Sequence, residues 1–143
     1  KVFMGGGPGR LVGLLQLLSD YEMDIKVAAL FWPHKHSQED LNYVFEQRNL
    51  KIERIVVSPS LYELEEFAES YDFDVWAGGY QEQHTCRRHK IPFVPITVYT
   101  VPHVGFRGAV NFGDKMIMAM QGFCFTENVF NAKELPECTH HSK

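Results

Sequence analysis

The feature that most constrains the fold is a glycine-rich segment that directly follows an apolar run at the start of the chain. Val2-Phe3-Met4 is followed by Gly5-Gly6-Gly7-Pro8-Gly9-Arg10. Glycines lack a Cβ atom, so the backbone can turn sharply and a ligand can approach its N–H groups. Pro8 suits the first turn of a helix, where N–H groups have no intrahelical partner. The segment predicts a buried strand, a tight turn and a helix; the turn is either purely structural or binds an anionic group at the helix N-terminus.

The same unit of a strand followed by a helix recurs along the chain. Apolar and β-branched runs predict further strands at 25–31, 52–57, 75–79 and 92–96. Apolar residues at helical spacing predict helices between them, with Ser37 and Ser60 as caps and a last helix from about Gly108 to Gln121. Prolines in the fifth strand indicate either an edge strand or an interrupted one. Because parallel strands need crossover helices, this order predicts an α/β, Rossmann-like fold with a mostly parallel sheet of four or five strands and helices on both faces.

The length of 143 residues fits one domain, which we expect to span residues 1–132 and to be followed by a loose tail at 133–143. Because the chain begins inside a predicted strand without an initiator Met, we interpret it as a fragment of a larger subunit. The formal net charge of -4 and the lack of a basic stripe argue against a nucleic-acid partner. No apolar run approaches the roughly 18 residues of a membrane span, so no membrane association is expected.

The three cysteines, Cys86, Cys124 and Cys138, are widely spaced and form no Cys-x-x-Cys pair. This usage is typical of a reduced protein, so we expect a cytoplasmic location. Neither a zinc nor an iron–sulfur ligand set can be built from their spacing.

Ligands of such folds bind at the carboxyl ends of the strands, which here are followed by loops at 5–10, 32–36, 58–60 and 78–82. The first loop is not a dinucleotide fingerprint, because Arg10 stands at the third glycine position, and it is not a P-loop. His34 and His36 flank Lys35 in the second loop and either hold a metal or are simply solvated. His84, Cys86 and His89 could share one turn of a later predicted helix. They too either hold a metal or belong to a solvated helix face.

A later segment carries the most specific pattern, Pro102-His103-Val104-Gly105-Phe106-Arg107-Gly108, followed by an aromatic residue and Asp114-Lys115-Met116. It resembles the Pro-x-x-Gly-Phe-x-Gly signature in the C-terminal domain of the nitrogenase component 1 α-subunit family. Three further stretches are similar to the same family in the same order: Phe3 to Arg10, Phe31 to Asp40, and Asp74 to Phe93. The resemblance covers roughly residues 1–120 and implies the last of three α/β domains in a subunit.

The resemblance implies a nitrogenase-like oxidoreductase that encloses an iron–sulfur or iron–molybdenum-type metallocluster, or a tetrapyrrole, and reduces a substrate there. The implied partners are a β-type component 1 subunit and an ATP-dependent iron–sulfur reductase. The cofactor-binding residues are then expected to be Gly5, Gly6, Gly7, Arg10 and His36, with no metal ligand and no catalytic residue assigned. We expect the isolated domain to bind no cofactor and to be inactive.

Two alternatives stay open at this stage. The protein is either a non-catalytic member that binds or scaffolds a cluster precursor or an anionic ligand, or an α/β domain of unrelated function. The sequence also departs from the nitrogenase pattern. Pro95 to Val101 lacks the histidine that ligates the cofactor in nitrogenase α-subunits, and Pro8 stands where the family often has an arginine, which leaves Arg10 as the matching basic residue. These departures argue against reduction of dinitrogen itself.

Overall fold

The computed structural model describes residues 1–96 and 105–130, and the side chains of the second range as far as Gly122. The proposed tail at 133–143 and the histidine-free residues 97–101 therefore lie outside the described residues. In the described parts of the chain, strands and helices alternate as follows: β1 (Val2–Gly6), α1 (Pro8–Asp20), β2 (Ile25–Leu30), α2 (Ser37–Arg48), β3 (Arg54–Val57), α3 (Leu61–Ser70), β4 (Val75–Gly78), α4 (Tyr80–His89), β5 (Phe93–Pro95) and α5 (Gly105–Phe130).

The five strands form one sheet in the order β3-β2-β1-β4-β5, and every pair of neighbours is parallel. This confirms the predicted parallel α/β fold. The chain moves from β1 toward one edge through β2 and β3, and then crosses to β4 on the other side of β1. The strand order therefore reverses between β1 and β4. Strand β5 lies at an edge, where the missing N–H of Pro95 costs no ladder hydrogen bond.

Each face of the sheet has its own core. On one face, α1 contributes leucines at helical spacing, which pack with residues of α2 and α5: Leu11, Leu14, Leu15, Leu18, Leu41, Phe112 and Met116. On the other face, α3 and α4 cover an aromatic cluster in which Phe3 and Trp76 of neighbouring strands pack with ring centroids 3.8 Å apart. None of the helices in the described ranges is long and apolar enough to cross a membrane.

Two local expectations are corrected by the structure. Ser37 does not cap α2, because it is the first helical residue and its buried hydroxyl accepts the N–H of His34 at 2.7 Å. His36 occupies the cap position, and its side chain makes no hydrogen bond to the N–H groups of the helix start. Helix α5 begins at Gly105 and continues to Phe130, well beyond Gln121. Gly122 does not end it, because one glycine in a helix interior costs only about 1 kcal/mol.

Helix α3, by contrast, begins as expected. Ser60 caps it with a complete capping box, in which its hydroxyl accepts the Glu63 N–H and the Glu63 carboxylate accepts the Ser60 N–H at 2.8 Å.

Candidate functional site

A pocket of about 290 Å³ opens at the carboxyl edge of the sheet, between the ends of β1 and β4. Its backbone-lined part comes from Gly6 and Gly7 after β1 and from Gly79 after β4. Open α/β sheets bind ligands at the point where the strand order reverses, and this pocket lies at that point. The sheet topology thus places two of the four predicted loops, 5–10 and 78–82, side by side.

Two helices begin at this pocket with glycine as the N-cap residue. Gly7 is the N-cap of α1 and Gly79 is the N-cap of α4, and neither helix start has a side-chain cap hydrogen bond. The first N–H groups of a helix have no intrahelical partner, and the helix dipole adds partial positive charge there. Both helix starts therefore favour an anionic group in the pocket.

Aromatic side chains form the outer walls. Trp32 and Tyr80 line the pocket and are 72% and 65% exposed, respectively. Trp32 also has a φ of 49°, a left-handed conformation that is unfavourable for a bulky residue. Such strained residues cluster at ligand sites, because the fold holds them there against a cost of order 1–3 kcal/mol. The two rings offer apolar surface that a ligand or another domain would cover.

The carboxyl group of Glu82 is the buried polar group of the pocket. The residue is 2% exposed, and its Oε1 atom has no hydrogen-bond partner among the described residues. Burial raises the pKa of Glu82, while the backbone N–H groups of Glu82 and Gly79 act in the opposite direction. A Cβ atom at Gly5 or Gly78 would lie 2.6 or 2.7 Å from Oε1. Glycine is thus required at the ends of both β1 and β4 for this carboxyl to occupy its position.

The predicted cofactor-binding residues do not all meet in this pocket. Gly6 and Gly7 line it, and Gly5 lies directly against Glu82. Arg10 is exposed on α1 and lines a separate groove of about 340 Å³ between α1 and the start of α5. His36 is exposed as well, and its Nδ1 pairs with the Glu39 carboxylate at 3.0 Å. Neither Arg10 nor His36 lines the pocket, so each would act on a ligand there through long-range electrostatics.

The other histidines and the buried cysteine have separate environments. The His36 N–H donates to His34 Nδ1 at 3.3 Å on the surface. Cys86 is buried in the core under α3 and α4, and its burial raises the pKa of its thiol well above the usual range. His89 pairs with Glu65, and His84 is exposed. No group of three or more potential metal ligands was found among the described residues.

Sequence reasoning missed Glu82 and Trp32 as individual residues, although both lie in loops that it named. The available signal for Glu82 is its position three residues after Gly79, at the start of a helix, opposite a second strand that also ends in glycine. An acid at that helix position is ordinarily a solvated capping residue. Its burial follows from the pairing of β1 with β4, which the sequence does not reveal.

Three comparisons with known proteins place the chain among its relatives. The sequence model of a family described as nitrogenase component 1 type oxidoreductase matches residues 1–121. A solved structure of nitrogenase Cp1 at pH 6.5 superposes with a TM-score of 0.74 at 16% identity. That match covers 88% of this chain and 29% of the nitrogenase chain, and at this identity it establishes the fold. No curated protein sequence matches the chain significantly.

Proposed function

Because the chain belongs to the nitrogenase component 1 type oxidoreductase family, we propose that it is one α/β domain of a larger redox subunit and forms one wall of its cofactor site. The observation that supports this most directly is the pocket between the glycine-capped starts of α1 and α4, at the point where the strand order reverses. The chain spans 29% of the length of the nitrogenase chain that it matches. The remaining walls would come from other domains of the subunit. We place the present α/β domain at residues 1–132.

The cofactor we propose is an iron–sulfur or iron–molybdenum-type metallocluster or a tetrapyrrole. The donors of the pocket fit the outer surface of such a group, because two helix starts and glycine backbone favour anionic atoms at close approach. They do not supply ligands to iron, since the thiol of Cys86 is buried in the core and the described residues contain no cluster of metal-binding side chains. We therefore assign enclosure and orientation to this domain, and ligation to other parts of the protein.

In this proposal the chain's residues have distinct tasks. The N–H groups after Gly6 and Gly79 orient an anionic edge of the cofactor, and Trp32 and Tyr80 exclude water from it. Arg10 contributes positive charge from the neighbouring groove, and His36 is a more distant polar residue. When bound, the cofactor would supply the redox chemistry, with electrons from an ATP-dependent iron–sulfur reductase and a β-type subunit as the second partner.

The test compares two leucine variants in the full-length subunit, purified without oxygen together with any subunit that accompanies it. A Cβ atom at Gly7 or at Gly122 meets no heavy atom within 4 Å, but only Gly7 lines the pocket. Gly7→Leu should fill pocket volume without strain, and Gly122→Leu on the exposed side of α5 is the matched control. We expect iron, acid-labile sulfide and visible absorbance in the wild type and in Gly122→Leu, with a large loss in Gly7→Leu. Equal cofactor content in the two variants would contradict the proposed site.

The second candidate is a non-catalytic protein that binds a cluster precursor or another anionic ligand. It is favoured by the same lack of a metal ligand set in the described ranges, since a carrier needs only transient contacts. A subunit that forms its complex but is colourless and free of metal when purified would support this candidate over the enzyme, provided that it accepts a cluster in vitro and then transfers it to an acceptor protein.

A further inference from the structure

We propose that Glu82 is a neutral hydrogen-bond donor of the pocket, which donates its carboxyl proton to an anionic oxygen of the bound ligand. The inference rests on the proposed function in one respect, since it takes the pocket as a ligand site. It concerns the protonation state and the role of one side chain, which neither the family match nor the structural match assigns.

The carboxyl group of Glu82 occupies a site that two glycines leave open. Glu82 lies over the ends of β1 and β4, in the space that Cβ atoms at Gly5 and Gly78 would otherwise take. It is almost fully buried, yet its Oε1 has no partner among the described residues. A buried polar atom without a hydrogen bond is costly in a folded protein, and an ionised carboxylate in that state costs much more. The buried Oε1 is therefore explained if Glu82 is neutral, and the pocket that Glu82 lines is where its carboxyl proton meets a partner.

The groups that surround Glu82 come from α4, α3 and the sheet. On its own helix the nearest titratable group is the Cys86 thiol, one turn further along α4, which is itself buried and neutral. From α3, the Glu65 carboxylate acts on Cys86. The sheet side contributes glycines, the ring of Phe3 on β1 and the ring of Phe31 just after β2, none of which carries a charge. The described surroundings thus provide Glu82 with no positively charged side chain. The backbone N–H groups of Gly79 and Glu82 at the start of α4 favour the ionised form, but burial outweighs them and raises the pKa of the carboxyl.

The pocket favours ligands of negative charge. The starts of α1 and α4 favour an anion. An ionised Glu82 would repel that anion, whereas the neutral acid offers it an O–H donor. Hydrogen bonds with one charged partner are stronger than those between neutral groups. Protonated Glu82 and the two helix starts therefore act on the same class of ligand, an oxyanion.

The opposite arrangement is an ionised Glu82 that binds a cation between Trp32 and Tyr80. Aromatic faces attract cations, so the walls alone would accept this ligand. The two helix starts disfavour it, because their partial charge is positive. The experiment below distinguishes the two arrangements.

Trp32 provides the reporter for the experiment. It lines the pocket and is largely exposed, whereas Trp76 is fully buried in the aromatic core. The full-length subunit is labelled with fluorotryptophan and prepared from iron-depleted cells, and the Trp32 resonance is assigned by its loss in Trp32→Phe. Inorganic sulfate is the anionic probe, because its charge is constant from mildly acidic to mildly alkaline pH. Tetramethylammonium is the cationic probe.

We expect sulfate to shift the Trp32 resonance at mildly acidic pH and to bind more weakly as the pH rises and Glu82 ionises. Glu82→Gln keeps a neutral donor of similar shape, so it should bind sulfate with no such pH dependence. Glu82→Met has similar length without a donor and should bind about tenfold more weakly at acidic pH, the loss of one hydrogen bond. The infrared spectrum of the wild type should contain a protonated-carboxyl band that Glu82→Gln lacks and that shifts when sulfate is added.

Any of four results would overturn the inference. The first two are no protonated-carboxyl band from Glu82 and sulfate binding that is unchanged in Glu82→Met. The others are tetramethylammonium binding that strengthens as the pH rises and absence of sulfate binding to the wild type at every pH. The proposed function is judged separately, by the cofactor content of the Gly7→Leu subunit. A subunit that retains its cofactor but shows no carboxyl band would leave that function standing and remove the role of Glu82.

Discussion

Two carboxyl groups in the same helical layer have opposite environments. Glu65 on α3 accepts hydrogen bonds from Thr85 at 2.8 Å and pairs with His89 at 2.7 Å and with Arg88 at 3.3 Å, all on α4. Burial is the largest influence and raises its pKa, but hydrogen bonds from His89 and Thr85 and the Arg88 charge together lower it. Glu82 on α4 has one unpartnered oxygen, and burial raises its pKa.

The difference separates a structural acid from a candidate functional one. Every partner of Glu65 lies on the neighbouring helix, so its hydrogen bonds serve to join α3 to α4. Glu82 lies at the carboxyl edge of the sheet, against two glycines, and its Oε1 has no hydrogen-bond partner among the described residues. A buried group that the fold leaves unsatisfied is explained by a partner outside the fold.

The largest effect is expected where the glycines meet Glu82. Gly5→Ala should lower the free energy of unfolding by about 1–3 kcal/mol, because overpacking in a filled site has costs of this size. Its Cβ would meet Glu82 Oε1 at 2.6 Å and ring atoms of Phe3 and Phe31 at 3.0 Å. Urea unfolding measures the change. Gly13→Ala on the exposed side of α1 is the control and should be stabilising, because alanine favours a helix.

Gly78→Ala tests whether contact with the Glu82 side chain is what destabilises these alanine variants. The three contacts of its Cβ are all with the Glu82 side chain, the shortest at 2.7 Å to Oε1. The cost of Gly78→Ala should therefore largely disappear in a Glu82→Ala background, whereas the cost of Gly5→Ala should persist there because the rings remain. Equal costs of Gly78→Ala with and without Glu82 would contradict the contact.

The second prediction compares the two acids through pH. Glu65 has a lowered pKa in the folded state, so its stabilisation is present above its unfolded pKa and is lost as the pH falls through the folded value. Glu82 has a raised pKa, so its contribution is present below the unfolded value and is lost as the pH rises toward the folded value. Each slope is at most about 1.4 kcal/mol per pH unit for one proton.

Glutamine variants separate these slopes when urea unfolding is repeated over a pH series. Glu65→Gln should remove part of the stability loss on the acidic side and lower stability near neutral pH. Glu82→Gln should remove part of the loss on the alkaline side and leave neutral stability equal or higher. If both variants gave the same stability profile over pH, the pKa values of Glu65 and Glu82 would not shift in opposite directions on folding.

The third prediction concerns the helix starts. Helix α3 is closed by the Ser60–Glu63 capping box, whereas α4 begins at Gly79 without a side-chain cap hydrogen bond. Ser60→Ala should cost about 1 kcal/mol, the usual value for a lost N-cap. Hydrogen exchange should then speed up in the first turn of α3 and stay unchanged in the first turn of α4. Faster exchange at both helix starts would indicate that the two ends are coupled.

The sequence predicted the parallel sheet, its helices on both faces, the edge position of β5 and the Ser60 cap, because these depend on local pattern and turn chemistry. It predicted the wrong cap for α2, since the Ser37 hydroxyl is used by the N–H of His34 and not by the helix. Glu82 could not be identified, because its burial depends on the pairing of β1 with β4 across 73 residues, from Val2 to Val75. The local sequence around it is polar and indicated a solvated helix start.

The smallest effects on stability are expected for the two site residues that the sequence named outside the pocket. Arg10 and His36 are exposed, and the partner that His36 has, Glu39, lies in an exposed ion pair of its own helix start. Alanine at either position should change the free energy of unfolding by less than about 0.5 kcal/mol, as is usual for surface residues. Their proposed roles predict lower cofactor content of the full-length subunit at unchanged stability, with Arg10→Ala more affected because it removes a fixed charge near α1. If either variant has a much lower free energy of unfolding, that residue stabilises the fold, as Glu65 does. If both variants keep full cofactor content, neither residue belongs to the site, which then consists of the glycines, the aromatic walls and Glu82.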